Sequence, residues 1–390
     1  MKKKKLAGII LSLSLGMGVM AGCGGEKSSG GEGDTIKIGA NLELSGGGAS
    51  YGQSIMEGLN LALDEINEDG VGGKKLEIVK YDNKSDAAEA TNGAIKLASQ
   101  DKVAVMIGAA TSTNTLAQVE VANDNKVPLI TPTGTNETIT AKDGKVQEFV
   151  FRTCFIDPFQ GTVAANFAKD TLSAKTAAIY VDSSSDYSKG LAAAFKEAFT
   201  KAGGQIVAEE AFLQKDTDFK STLTRIKKAN PEFVFVPAFY EEVGLIVKQA
   251  REAGIDVPLM GGDGWDSPKL IEIAGAEALN NTFITNHYSA GDPDEKIQKF
   301  VSAFKKKYKD KSPDAFAALG YDTAYFIADS IKRAGDDATP EKIKDALAET
   351  KDLPLISGNL TMDENHNPVK SASILKYDNG EQVFETKVNP

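Results

Sequence analysis

The chain has 390 residues, 41% of them hydrophobic, enough to bury a substantial core divided between two domains. Its 55 acidic residues against 44 Lys and Arg give a formal charge of −11, which argues against nucleic acid or an anionic bilayer surface as the partner. Two cysteines and two widely separated histidines, with no HExxH or CxxC spacing, argue against a zinc site.

The first element is "MKKKKLAGIILSLSLGMGVMAGCGG". Four lysines, Lys2 to Lys5, precede an apolar core from Leu6 to Met20 that is too short and too glycine-broken to span a membrane as a mature helix. The closing "VMAGC" resembles a bacterial lipoprotein signal. That implies removal of residues 1–22, lipidation of Cys23, and a protein held by its lipid on the extracytoplasmic face of the cell membrane. Losing the leader removes four lysines and no acid, and takes the charge to −15. Residues 23–34, rich in Gly and Ser, read as a flexible tether. No later segment approaches about 18 continuous apolar residues.

From Thr35 onward two periods alternate. "IKIGANLEL" (36–44) reads as a strand, and 51–67 as a helix with Ile55, Leu59, Ala62 and Ile66 on one stripe. Strands at 76–82, 103–109 and 127–131 alternate with helices at 86–100 and 113–125. "FVFRTCFIDPFQG" (149–161) reads as a crossing between domains, with Cys154 a small buried hydrophobe. The rhythm restarts with strands at 176–182, 205–213, 233–238, 257–261 and 282–288. Helices at 187–202, 219–229 and 241–253 separate them, helices dominate from Pro293 to Glu349, and strand-like "ASILKYD" and "QVFETKV" end the chain. Repeated strand–helix units predict an α/β fold of two Rossmann-like lobes, each on a mainly parallel sheet.

Candidate chemistry gathers where strands end. "SGGGASYG" (45–52) follows a strand and opens a helix, yet Tyr51 stands where a dinucleotide fingerprint needs its third glycine. "AATSTNT" opens a helix after "VAVMIG"; its hydroxyls and amides serve equally as a plain cap or as a carboxylate cradle. "ITPTGTNETI" (130–139) is either an ordinary Ser/Thr turn or an anion-binding nest. "GGDGWDS" (261–267), with the chain's only tryptophan, lacks the alternating acids of a calcium loop. No nucleophile elbow or phosphate loop appears, so nothing calls for catalysis or a cofactor.

In family order, "KIGANLELSGGGASYGQSIMEGLNLALDEIN", "MIGAATSTNT", "PLITPTGTNETIT", "VFRTCFIDPFQG", "DYSKGL" and "FVFVPAFYEEVGLIVKQAREAGIDVPLMGGDGWDS" carry a resemblance. The chain from about Thr35 onward resembles the branched-chain amino-acid (leucine/isoleucine/valine) binding proteins of ABC transporters. The resemblance implies a type I periplasmic binding fold that closes on a free amino acid and hands it to a permease. It implies one lobe from residues 35–154 plus 287–358 and another from 155–286 plus 359–390, acting as a monomer, without catalysis, metal or cofactor. It places the ligand carboxylate on Ser112, Thr133 and Thr135, with Thr111 alongside, and the ammonium on Asp263, where many relatives carry glutamate. Tyr51, Tyr187 and either Phe239 or Tyr240 would line the pocket, with Trp265 near the ligand side chain. Electrostatics agrees with this division, because a zwitterion in a dry cleft needs both charges matched.

Overall fold

The computed structural model describes residues 35–389; the leader, Cys23 and the whole of the tether lie outside the described residues. β-Branched runs alternating with amphipathic helices build the first half. In chain order these are β1 (Thr35–Leu42), α1 (Ala49–Asp69), β2 (Lys75–Asp82), α2 (Ala87–Ile95), β3 (Val105–Gly108), α3 (Ser112–Asn125) and β4 (Leu129–Thr131). A small hairpin of β5 (Ala141–Lys142) and β6 (Lys145–Val146) precedes β7 (Val150–Arg152). The first sheet is parallel throughout, in the order β2-β1-β3-β4-β7.

The second half repeats the plan. It comprises α4 (Asp157–Asn166), β8 (Thr176–Asp182), α5 (Asp186–Lys201), β9 (Gln205–Phe212), α6 (Lys220–Ala229), β10 (Phe233–Phe235), α7 (Tyr240–Glu252), β11 (Leu259–Gly261), α8 (Pro268–Ala274) and β12 (Thr282–Asn286). Three helices follow, α9 (Glu295–Lys307), α10 (Ala315–Ala334) and α11 (Pro340–Ala348). A hairpin of β13 (Leu353–Leu355) and β14 (Gly358–Leu360) leads to β15 (Ala372–Asp378) and β16 (Glu381–Val388). The second sheet runs β16-β15-β12-β11-β10-β8-β9, parallel from β12 to β9 and antiparallel where the tail joins it. Strand order reverses between β1 and β3 in one sheet and between β8 and β10 in the other, which opens a crevice at their C-terminal ends.

The stretch 149–161, read from sequence as one crossing, is divided. Residues 150–152 form the edge strand of the first sheet and α4 starts at Asp157, so only a few residues link the halves. Hydrophobicity alone marked the region, and it does not distinguish a linker from a short buried edge strand.

Helix α10, although late in sequence, packs on α1 beside the first sheet. The contact brings backbones together, since a methyl on Gly58 would overlap the Ala317 carbonyl and one on Gly320 the Ile55 carbonyl. Tyr321 and Tyr325 both donate to Glu65 of α1, at 2.5 and 2.7 Å. The connecting segments are tied to the same helix: Asp322 accepts the N–H groups of Ile356 (2.7 Å) and Ser357 (2.9 Å). The Thr153 and Thr323 hydroxyls meet at 2.8 Å, and buried Lys370 donates to the Thr153 carbonyl at 3.0 Å.

Because the α1–α10 crossing leaves no room for a side chain, Gly58→Ala is expected to cost about 1–3 kcal/mol through overpacking. Urea denaturation followed by far-UV circular dichroism measures it; an unchanged midpoint would show that the helices can separate freely.

Candidate functional site

Side chains from both sheet edges and from α10 enclose a small cavity, lined by Tyr51, Ala110, Thr111, Ser112, Thr133, Tyr187, Phe239, Asp263, Gly264 and Phe316. The first sheet contributes the residues after β1, β3 and β4, and the second those after β8, β10 and β11. This is the edge where helix N-termini present unpaired amides.

On the first-sheet side, Glu43 fixes the approach to α3. One carboxylate oxygen accepts the Ala110 N–H at 2.8 Å. The other accepts the Thr111 N–H (3.1 Å), the Thr111 hydroxyl (2.7 Å) and the Asn114 side-chain amide (2.9 Å). Thr111 occupies the N-cap position, but its hydroxyl turns to Glu43 and does not cap its own helix. Ser112 therefore opens α3 at the cavity wall, and its hydroxyl accepts the Asn136 N–H at 3.2 Å. The adjoining turn is held equally firmly. Thr133 donates to the Ala110 carbonyl at 2.7 Å, and Thr131 accepts the Gly134 N–H at 2.8 Å. Buried Arg152 donates to the carbonyls of Gly134 (2.7 Å) and Asn136 (2.8 Å). Cys154 beside it is buried, and burial pushes its thiol pKa up to about 12.

On the second-sheet side, Asp263 begins a single 3₁₀ turn and is buried. Its N–H donates to Gln160 Oε1 at 2.8 Å, and the same oxygen accepts the Thr285 hydroxyl at 2.7 Å. Asp263 Oδ2 pairs with His287 Nε2 at 3.0 Å, and that ring stacks on Phe155 with centroids 3.7 Å apart. Burial lowers the His287 pKa while Asp263 opposes the shift, so the ring is a neutral donor. Asp263 Oδ1 is buried without a hydrogen-bond partner among the described residues.

Aromatic rings close the remainder. Tyr51 stacks on Phe316 (4.3 Å) and Tyr187 on Phe239 (5.1 Å). Tyr51 donates its hydroxyl to the Gly264 carbonyl, and Tyr187 accepts the Gly264 N–H at 3.1 Å. Burial raises both tyrosine pKa values well above the ordinary phenol value, which keeps the hydroxyls neutral.

Of the residues singled out from sequence, Tyr51, Thr111, Ser112, Thr133, Tyr187, Phe239 and Asp263 converge on this cavity, and three do not line it. Trp265 lies two residues beyond Asp263 in a turn of three residues, which directs its ring away from Asp263. Its indole N–H donates to the Val236 carbonyl at 2.9 Å, and the ring is buried in the hydrophobic core. Tyr240 stands behind Tyr51, edge-on at 5.1 Å, with its hydroxyl on the Gly47 carbonyl, so Phe239 is the lining residue of that pair. Thr135 is buried behind the wall, and its carbonyl accepts the Asp157 N–H at 2.9 Å.

Glu43, Gln160, His287 and Phe316 were not singled out. Glu43 left one signal, an acid inside an otherwise apolar strand end. His287 was weighed as a metal ligand or a catalytic base, and among the described residues no group of three or more His, Cys, Asp or Glu could hold a metal. A wider, open groove between α4 and α5 is lined largely by alanines and exposed polar residues, with Asp157 at one end. It gathers no opposed set of buried polar groups comparable to the cavity.

A family model described as periplasmic binding protein matches residues 35–382. A leucine-, isoleucine-, valine-, threonine- and alanine-binding protein of Pseudomonas aeruginosa is 33% identical over 333 residues, covering 85% of this chain and 86% of that protein. Among solved structures, the branched-chain amino-acid transporter binding protein LivJ of Streptococcus pneumoniae, in complex with isoleucine, is 40% identical. It superposes with a TM-score of 0.85 over 91% of this chain and all of that one. The leucine-binding protein LivK of Thermotoga maritima is 38% identical, with a TM-score of 0.85 over 91% of this chain and 99% of that one. By the family match and by its likeness in sequence and fold to these relatives, the chain belongs to the periplasmic binding protein family.

Proposed function

We propose that this chain is an extracytoplasmic receptor that captures a free amino acid, with a branched-chain or other aliphatic side chain, and delivers it to an ABC permease. One observation carries the reading: Asp263 Oδ1 is buried without a partner on a cavity whose far side is the start of α3. An ammonium is the group that matches such an oxygen, and the Ser112 amide and hydroxyl with the Thr133 turn suit a carboxylate. Thr135 supports that turn from behind. Tyr51, Tyr187, Phe239 and Phe316 leave an apolar remainder suited to an aliphatic side chain. The binding of isoleucine by the Streptococcus pneumoniae relative supports the ligand class.

In this reading the lobes are residues 35–154 plus 287–358 and 155–286 plus 359–390, and the protein acts as a monomer. Lipid on Cys23, after removal of residues 1–22, tethers it to the membrane through the Gly/Ser-rich linker. Among the described residues no helix is long and apolar enough to cross a membrane. The task assigned to the cavity is binding, with no bond made or broken.

Isothermal titration with leucine, isoleucine and valine tests the function. Each should bind with one-to-one stoichiometry and raise the melting midpoint, while the corresponding amides, lacking a carboxylate, should bind far more weakly. Failure of all three amino acids would overturn the assignment. Asp263→Asn should weaken leucine binding by about 1.5–3 kcal/mol, as expected when a hydrogen bond to a charged group is lost. Unchanged affinity would move the ammonium site elsewhere.

A second expectation concerns pH. The unfolded chain protonates His287 near pH 6.5, whereas burial holds the folded ring's pKa lower. Between those values the unfolded state binds the extra proton, so this residue makes stability fall as pH drops below about 6.5. Buried acids with raised pKa values, such as Asp157 and Asp322, contribute the opposite slope in both proteins compared. His287→Gln should accordingly lose less stability than the parent between pH 7 and pH 5. Parallel melting profiles would contradict the neutral, buried histidine.

A further inference from the structure

The two sheets also meet along a polar seam beside the cavity. Asp186, the first residue of α5, donates its N–H to the Thr113 hydroxyl oxygen at 3.2 Å. That hydroxyl in turn donates to Asp186 Oδ2 at 3.1 Å. Asn136, in the turn after β4, donates its side-chain amide to the Asp186 carbonyl at 2.8 Å. Asp186 is thus gripped at three backbone and side-chain atoms by two residues of the opposite sheet. Its other carboxylate oxygen holds Lys189 of its own helix at 2.9 Å.

None of the three residues lines the cavity, yet each is joined to one that does. Thr113 follows Ser112, and Asp186 precedes Tyr187. Asn136 gives its backbone N–H to the Ser112 hydroxyl at 3.2 Å, while its own side-chain oxygen is pinned by the Thr138 N–H (3.0 Å) and hydroxyl (2.6 Å). The facing turn of α5 is trimmed to admit this amide. A Cβ on Gly190 would press within 2.9 Å of Asn136 Nδ2 and of Asp157 Oδ2.

We propose that Asp186, Thr113 and Asn136 form a latch that sets how firmly the two halves close, and through closure the affinity, without touching the ligand. The proposal rests on reading the cavity as an amino-acid site. Periplasmic binding proteins close by hinge motion around their ligands, and α3 and α5 sit on different sheets, so opening separates these groups. A ligand that binds the closed form has its apparent dissociation constant divided by the closed fraction. Weakening the latch therefore weakens every ligand by one common factor, whereas altering a cavity wall changes ligands unequally.

The test uses leucine, isoleucine and valine with the full mature chain. Thr113→Val keeps the shape and removes the hydroxyl; Thr113→Ser keeps the hydroxyl. Thr113→Val should weaken all three ligands by the same factor, about three- to tenfold for lost hydrogen bonds, with the loss in the dissociation rate. Thr113→Ser should restore most of it. Adding Asp186→Ala to Thr113→Val should cost less than the sum of the single effects, because the two share one contact. A changed rank order of ligands, equal behaviour of the valine and serine variants, or strict additivity would overturn the latch. If the parent binds none of the three, the amino-acid reading fails, and small-angle scattering without ligand decides the latch. Thr113→Val should then have the larger radius of gyration, and superimposable curves would overturn it.

Discussion

Taking a carboxylate out of water costs several kcal/mol unless its oxygens find partners. Asp263 is buried with His287 on one oxygen and no described residue on the other. Much of the second sheet's edge serves to hold that half-matched group in place. Gln160 grips its N–H, Thr285 grips Gln160, and Phe155 lies flat on the histidine that supplies the one partner. Even the neighbouring glycine belongs to the arrangement, since a Cβ on Gly262 would come within 2.5 Å of Gln160 Oε1 and of the Tyr187 hydroxyl oxygen. A carboxylate placed this rigidly cannot turn to find another partner, so its second oxygen stays unmatched among the described residues.

The first sheet answers with neutral and positively polarised groups. Glu43 places a second buried carboxylate close by, but its oxygens are taken up by the Ala110 and Thr111 amides, the Thr111 hydroxyl and the Asn114 amide. Its charge is spent on holding the loop into α3, and Ser112 is left at the cavity. Arg152 does comparable work for the next turn, its two terminal nitrogens donating to the backbone carbonyls of Gly134 and Asn136. Both buried charges stabilise loop geometry, whereas one oxygen of Asp263, at the cavity, has no partner among the described residues.

The alternation of apolar runs and amphipathic stretches located most strands and helices, because burial on a sheet and on a helix leaves different periods. It missed β7, α8 and the short hairpin strands β5, β6, β13 and β14, which are too short to show a period, and also α4, whose start was absorbed into the crossing at 149–161. Within the site, Ser112 and Thr133 were legible as polar groups soon after strand ends, whereas Tyr51, Tyr187 and Asp263 were placed by the family resemblance. Tyr240 and Trp265 were placed by it as well but are turned into packing positions by one or two residues of helical rotation. Gln160 and Phe316 lie at starts of helices far along the chain, with no local pattern to connect them to the same cavity.

What the amino-acid sequence determined by itself was the alternating α/β plan, the acidic surface, the signal-like leader and the list of polar strand ends, all local or compositional properties. Only the tertiary structure decided which of those ends face one another, which oxygen of Asp263 remains unmatched, and which aromatic of the Phe239–Tyr240 pair reaches the cavity. Those outcomes depend on contacts between residues more than a hundred positions apart, such as Asp263 with Gln160 and Tyr51 with Gly264. Such contacts follow from how two sheets pack, and no period along the chain encodes that.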